Sequence, residues 1–188
     1  MSLFTGLKTT EAASNVKVHF INVGQGDSIL IQTGNENVLI DGGGKGKGDE
    51  VVAYLKKQKV KTLTALVSTH PDADHVGGLA HVIKSLSVKS VYAPKVSHTT
   101  QAYKDFLTAV KKKKLTKKKA KSGVEINTKA KDNSLKFIAP VAKSDLNNWS
   151  AVLLLKHGKK TFLFSGDAEE KAEKDMLAKK TGTKCGCT

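Results

Sequence analysis

The chain has 188 residues, 39% of them hydrophobic, which suits one domain with a buried core, or one domain plus a short appendage. No apolar run approaches the roughly 18–20 residues of a membrane span; the longest, such as Ser150 to Leu155, have the length of strands, so the chain reads as soluble and globular. Its net charge of +15 is carried by lysine with no arginine, which weakens any scheme needing bidentate clamps and leaves open sequence-independent attraction to a polyanion.

Residues 1–15 read as an N-terminal linker or trimmed remnant, small and polar from Thr9 to Ser14, with no apolar stretch of the kind an intact signal peptide has. The domain is placed at 16–188. Val16 to Val23, Ser28 to Gln32 and Val38 to Ile40 are short and rich in β-branched residues, and the turns Gly24-Gln25-Gly26-Asp27 and Gly34-Asn35-Glu36-Asn37 separate them. Three strands joined so briefly form an antiparallel meander. Asp41-Gly42-Gly43-Gly44 closes the third strand and opens a flexible loop. Asp49 then reads as the N-cap of a helix over Glu50 to Gln58, with Val51, Val52 and Leu55 as its apolar stripe.

Leu63 to Val67 reads as a buried strand, Val76 to Leu86 as a helix, Val88 to Tyr92 as a strand and Ala102 to Val110 as a helix. Eight lysines crowd into the eleven positions from Lys111 to Lys121 and blur the period, though short strands are expected between Leu115 and Ile138. Ala151 to Leu155 and Thr161 to Phe164 make a hairpin whose turn includes His157, and Ala168 to Lys180 has helical composition. The order suits an α/β sandwich of two mixed sheets with helices outside. Cys185 and Cys187 stand too close for an unstrained mutual disulfide, so no disulfide framework is expected.

The densest chemistry is Thr69-His70-Pro71-Asp72-Ala73-Asp74-His75, four candidate ligands in six positions directly after an apolar strand. A divalent cation needs several N and O donors converging at about 2.0–2.2 Å, and a tight loop supplies them at small ordering cost. The plainer alternative is a polar loop in which Asp74 caps the following helix. His19, His81, His98 and His157 read as structural or surface residues, and Trp149 and Tyr103 as packing residues. Gly24, Gly26, Gly42 and Gly43 read as turn glycines rather than a phosphate cradle.

His70-x-Asp72-x-Asp74-His75 resembles the signature of the metallo-β-lactamase superfamily, with Asp72 where that signature has its second His. Asn22 to Ser28, Val38 to Gly43, Asn148-Trp149-Ser150 and Phe162 to Asp167 extend the likeness, which is closest to the hydrolase domain of competence DNA-uptake (ComEC) proteins and covers roughly Val16 to Lys180. The resemblance implies a four-layer αββα sandwich and one or two divalent metals, zinc or manganese. It assigns His70 and Asp72 to a first metal position, Asp74 and His75 to a second, and Asp167 to a bridge. A helix cap is the plainer alternative for Asp167. Asp41 would orient the metal loop from behind, and Asn148 and Ser150 would support the first position. Asp72, Asn148 and Ser150 in place of histidines enrich that position in oxygen and favour manganese or magnesium over zinc. The family continues past the Asp167 helix with a strand and a His-containing loop, whereas no His follows His157 here. The resemblance therefore implies a domain short of its C-terminal strand and helix, with an incomplete second metal position.

The implied activity is metal-dependent hydrolysis, nuclease-like and directed at DNA, in which the cation generates hydroxide from water at neutral pH and Asp74 orients that water. Two alternatives stand beside it: a small-molecule ester, lactam or thioester hydrolase, and a non-catalytic nucleic-acid-binding module with a degenerate site. Cleavage of a generic phosphodiester separates the first from the last. A secreted or cell-surface location is implied by the resemblance alone.

Overall fold

The computed structural model describes residues 15–34, 36–129, 133–141 and 145–179; residues 1–14 of the expected linker and both cysteines lie outside these. The expected meander is present as β1 (Val16–Phe20), β2 (Ile29–Thr33) and β3 (Glu36–Ile40), paired antiparallel in sequence order. Beyond β3 the sheet turns parallel through β5 (Ala65–Val67), β7 (Val91–Ala93) and β8 (Lys117–Lys119). The six strands run in the order β1-β2-β3-β5-β7-β8. The second sheet is antiparallel throughout rather than mixed as expected, because each of its strands pairs with the next in sequence; its order is β12-β11-β10-β9, built from β9 (Glu125–Ile126), β10 (Asn133–Phe137), β11 (Leu153–His157) and β12 (Lys160–Phe164).

Alternation along the strands builds two cores at once. Leu30, Leu39, Leu66 and Val91 face outward, under α1 (Gly48–Lys57), α3 (Leu79–Ser85) and α4 (Gln101–Lys112). Their neighbours Ile29, Ile31, Val38, Ile40, Val67 and Tyr92 face inward, against Leu135, Phe137, Leu153 and Leu155 of the second sheet. On the far side, α5 (Glu170–Ala178) lays Met176 against Val152 and Leu154. The result is the four-layer αββα sandwich. No helix among the described residues is long and apolar enough to cross a membrane.

Several boundaries differ from the sequence-based expectation. The strand expected over Leu63 to Val67 divides at Thr64: Thr62–Leu63 forms β4, which pairs with β6 (Ser87–Val88) in a separate two-stranded ribbon. The helix expected over Val76 to Leu86 is two, α2 (Ala73–Val76) and α3, parted at Gly77-Gly78. Contact with the loop after β3 explains the break. A Cβ on Gly78 would collide with the Gly42 carbonyl oxygen, and one on Gly77 with the Lys45 amide. The glycines let the metal-loop candidate press onto that segment, where the Gly42 amide donates to the His75 carbonyl at 2.9 Å. Asp49 is not the N-cap of α1; it sits in the first turn of a helix that starts one residue earlier, where its charge still opposes the helix dipole favourably. His157 closes β11 opposite Lys160 rather than lying in the turn. Three of the crowded lysines form the edge strand β8, where charge discourages further strand pairing.

Candidate metal centre

One end of the sandwich gathers the loops that matter. Asp41 follows β3, the segment from Ser68 to His75 follows β5, Ser150 precedes β11 and Asp167 follows β12. The two sheets are tied at this end by a hydrogen bond from the Ala151 amide to the Thr69 carbonyl at 2.8 Å. Because β11 and β12 are antiparallel, with Leu153 opposite Phe164, the approach to one and the exit from the other are neighbours. That register carries Asp167 to the His70 loop, about a hundred residues away in sequence.

Asp41 organises the loop from behind. It is fully buried, has a left-handed backbone (φ 56°), and accepts three hydrogen bonds. The Thr69 amide donates to Oδ1 at 2.8 Å, the Thr69 hydroxyl to Oδ2 at 2.6 Å, and His75 Nδ1 to Oδ2 at 3.0 Å. With its proton given to Asp41, Thr69 Oγ1 accepts from His70 Nδ1 at 3.0 Å. Both imidazoles are thus held through Nδ1, which leaves each Nε2 turned toward Asp167.

His70 Nε2 is buried and without a hydrogen-bond partner. The nearest carboxylate oxygens, Asp72 Oδ2 and Asp167 Oδ2, stand 3.6 and 3.8 Å away, too far for hydrogen bonds. Burial, reinforced by the adjacent His75, lowers the His70 pKa, so the ring is neutral and Nε2 carries a lone pair. His75 Nε2 lies 3.2 Å from Asp167 Oδ1, and the two rings are 4.2 Å apart. One donor atom each from His70, His75 and Asp167 lies within 4.8 Å of the others. A buried lone pair facing carboxylates, with both rings fixed from behind, fits a divalent cation held by these residues.

The remaining sequence candidates are distributed differently. Asp72 reaches His70 only at the longer distance above, and lies at the N-cap of α2 without a side-chain capping bond. Asp74 accepts from Gln25 Nε2 at 3.2 Å. Burial would raise its pKa, but that hydrogen bond, a backbone one and the nearby histidines hold it below the usual carboxylate range. Ser150 is fully buried with Oγ 3.5 Å from His70 Nδ1. Asn148 commits its amide elsewhere, donating to Asp145 and Glu169 and accepting from the Glu169 and Ala172 amides at the start of α5. Asp167 does not cap that helix, whose N-cap residue is Glu169.

Sequence reasoning gave no role to Thr69 or Asp27. Asp27 forms a second carboxylate–imidazole group with Asp41 and His75, and burial together with the charge of Asp41 raises its pKa. Its place in Gly-Gln-Gly-Asp carries the signal of an ordinary turn, and nothing local distinguishes it.

Burial alone would lower the His75 pKa, but the Asp41 hydrogen bond and the charges of Asp41, Asp167 and Asp74 raise it to about 9. The metal-free chain therefore holds His75 protonated at neutral pH. Its contribution to stability is complete below the ordinary value of 6.5 and is lost as pH rises through about 9. His70, with its lowered pKa, acts at the other end and costs stability as pH falls below its ordinary value. Urea unfolding in chelator is expected to show stability declining across this alkaline window, and His75→Gln is expected to flatten the decline. An unchanged slope in that variant would contradict the assignment.

The sequence profile of the Metallo-beta-lactamase superfamily matches residues 21–184. The chain is 27% identical over 185 residues to ComE operon protein 3 of Bacillus subtilis, covering 88% of this chain and 24% of that protein. It is 28% identical over 162 residues to Recombination protein 2 of Haemophilus influenzae, covering 84% and 19%. The chain thus spans about a quarter or less of the length of these curated relatives. Among solved structures, a Cronobacter sakazakii metallo-beta-lactamase with a HARLDQ motif aligns at TM-score 0.57 and 14% identity, covering 79% of this chain and 58% of that one. Rm3 metallo-beta-lactamase aligns at TM-score 0.57 and 14% identity, covering 90% and 72%; identities this low speak for the fold alone. With the profile spanning most of the sequence, the chain belongs to the metallo-beta-lactamase superfamily and is, by that membership, a metallo-hydrolase.

Proposed function

We propose that the chain is a metal-dependent phosphodiesterase acting on DNA. The observation that carries the metal-dependent half is His70 Nε2, a buried neutral nitrogen with no partner, facing Asp72 and Asp167. A buried, unpartnered nitrogen of this kind costs stability unless something binds it. In this reading His70, His75 and Asp167 hold the cation, with Asp72 beside them as a further oxygen donor. The mixture of imidazole and carboxylate suits zinc or manganese.

A divalent cation bound there supplies Lewis acidity toward a phosphoryl oxygen and lowers the pKa of water. The chain's own residues do the rest. Asp41 and Thr69 fix both imidazole rings, so no reorientation is required when substrate enters. Asp74, a carboxylate at neutral pH, accepts a hydrogen bond from the attacking water and sets its direction. The DNA half of the reading is supported by the +15 charge, which attracts a phosphate backbone, and by the printed name of one relative, a recombination protein.

The test is hydrolysis of a chromogenic phosphodiester and of a DNA oligonucleotide with zinc or manganese added. The expected result is cleavage that chelator abolishes and that Asp74→Ala reduces by about 10²–10⁴-fold. Cleavage of ester or lactam substrates with none of phosphodiesters would overturn the substrate class. Full activity in Asp74→Ala would remove the role given to that carboxylate.

A further inference from the structure

We infer that a lysine-lined cleft beside the candidate metal centre is the binding track for a single polynucleotide strand, with Trp149 as its stacking platform; this rests on the phosphodiesterase reading and adds to it where substrate lies. The cleft has a volume of about 340 Å³, and Lys95, Lys119, Lys121, Lys179, Pro140 and Trp149 are among the residues lining it. No aspartate or glutamate contributes to the lining. Among the described residues, none of the four lysines takes part in an ion pair within 4.0 Å.

Topology puts the cleft at the catalytic end. β5, β7 and β8 are parallel, so their C-terminal ends lie side by side. The first leads into the His70 loop, the second into Lys95 and the third into Lys121. The Ser68 amide bonds the Tyr92 carbonyl and the Ala120 amide bonds the Ala93 carbonyl, both at 2.9 Å, lacing the three exits together. From the other sheet, Trp149 is followed directly by Ser150, whose hydroxyl is 3.5 Å from His70 Nδ1. A strand leaving the metal centre across these exits meets unpaired lysines and then an aromatic face.

The chemistry matches a single strand. Lysine ammoniums act as point charges toward phosphate without reading bases, and a half-buried indole offers a face on which any base stacks. A second basic hollow, lined by Lys17, Lys57 and Lys59 among others, lies around β1 and the end of α1, away from the loops that hold His70. It serves as the comparison.

Trp149 is the sole tryptophan of the chain, so emission excited at the red edge, where tyrosine does not absorb, reports on the cleft alone. The experiment titrates the full chain in chelator with an oligothymidylate of about ten nucleotides, within the span such grooves occupy. The expected result is quenching that added salt reverses. Lys95→Ala/Lys119→Ala/Lys121→Ala is expected to weaken binding at least about tenfold and to reduce the salt slope by about 2, at roughly 0.7 per lost phosphate contact. Lys17→Ala/Lys57→Ala/Lys59→Ala, with the same change in charge, is expected to stay within about threefold. Binding without quenching, equal weakening in both triple variants, or displacement of the oligonucleotide by anionic phospholipid vesicles would each overturn the track. The metal-free condition keeps this separate from catalysis. Quenching without cleavage after zinc or manganese is added leaves the cleft standing and removes the phosphodiesterase, whereas DNA cleavage insensitive to the Lys95/Lys119/Lys121 substitutions removes the cleft alone.

Discussion

Asp41→Ala is expected to lower the unfolding free energy of the metal-free chain by about 3–5 kcal/mol, the scale for removing one partner of a buried charged network. The carboxylate is fully buried and accepts from the Thr69 amide, the Thr69 hydroxyl and His75 Nδ1. Alanine leaves all three donors without an acceptor, and it leaves the His75 charge, sustained largely by Asp41, buried without its main counter-charge. The left-handed backbone at this position adds strain, since alanine tolerates positive φ less well than aspartate or asparagine. Asp41→Asn separates the two contributions: it suits the backbone and keeps one acceptor oxygen, so it is expected to recover part of the loss. Urea unfolding in chelator measures both variants. A loss within about 0.5 kcal/mol for alanine, the ordinary range of surface changes, would show that Asp41 does not organise the loop.

The second large effect concerns metal. Zinc at a hundred times its dissociation constant is expected to raise the unfolding free energy of the natural chain by about 2.7 kcal/mol. In His70→Ala most of that gain is expected to be lost, because the unpartnered nitrogen is gone and what remains is His75, held protonated beside Asp41 and Asp167 in the metal-free chain, and two carboxylates of which Asp167 is 43% exposed in its side chain. The same substitution in chelator costs the packing of the ring and its Nδ1 hydrogen bond to Thr69, a loss that does not depend on metal. Metal-dependent stabilisation therefore distinguishes a ligand from a core residue, which would destabilise equally with and without metal. Thermal unfolding with and without zinc reads the difference. Persistence of the full metal-dependent gain in His70→Ala would place the cation elsewhere.

Part of the candidate site was legible because its candidate ligands are neighbours in sequence, and the structure groups two of them, His70 and His75, with Asp167. His70, Asp72, Asp74 and His75 fall within one short loop after an apolar strand, and a run so dense in ligand types has few structural explanations. Asp167 entered only through the family resemblance; nothing in Ser165-Gly166-Asp167 itself separates a ligand from a helix cap. Asp27 and Thr69 escaped entirely. One stands in a turn-like glycine motif, and the other matters because its hydroxyl has two partners whose positions are set by different strands.

Local pattern determined the meander, the parallel half of the sheet and the helices, because alternation and 3.6-residue periodicity are properties of neighbouring residues. The sequence also determined the charge and the ligand-rich loop. Tertiary structure alone decided where the helix after that loop breaks, since Gly77 and Gly78 yield to the segment around Gly42. It decided which carboxylates stand by the imidazoles, since the register of β11 and β12 carries Asp167 across the sandwich. It also decided that His70 Nε2 has no partner, for a lone pair is free or engaged according to what the rest of the chain brings beside it.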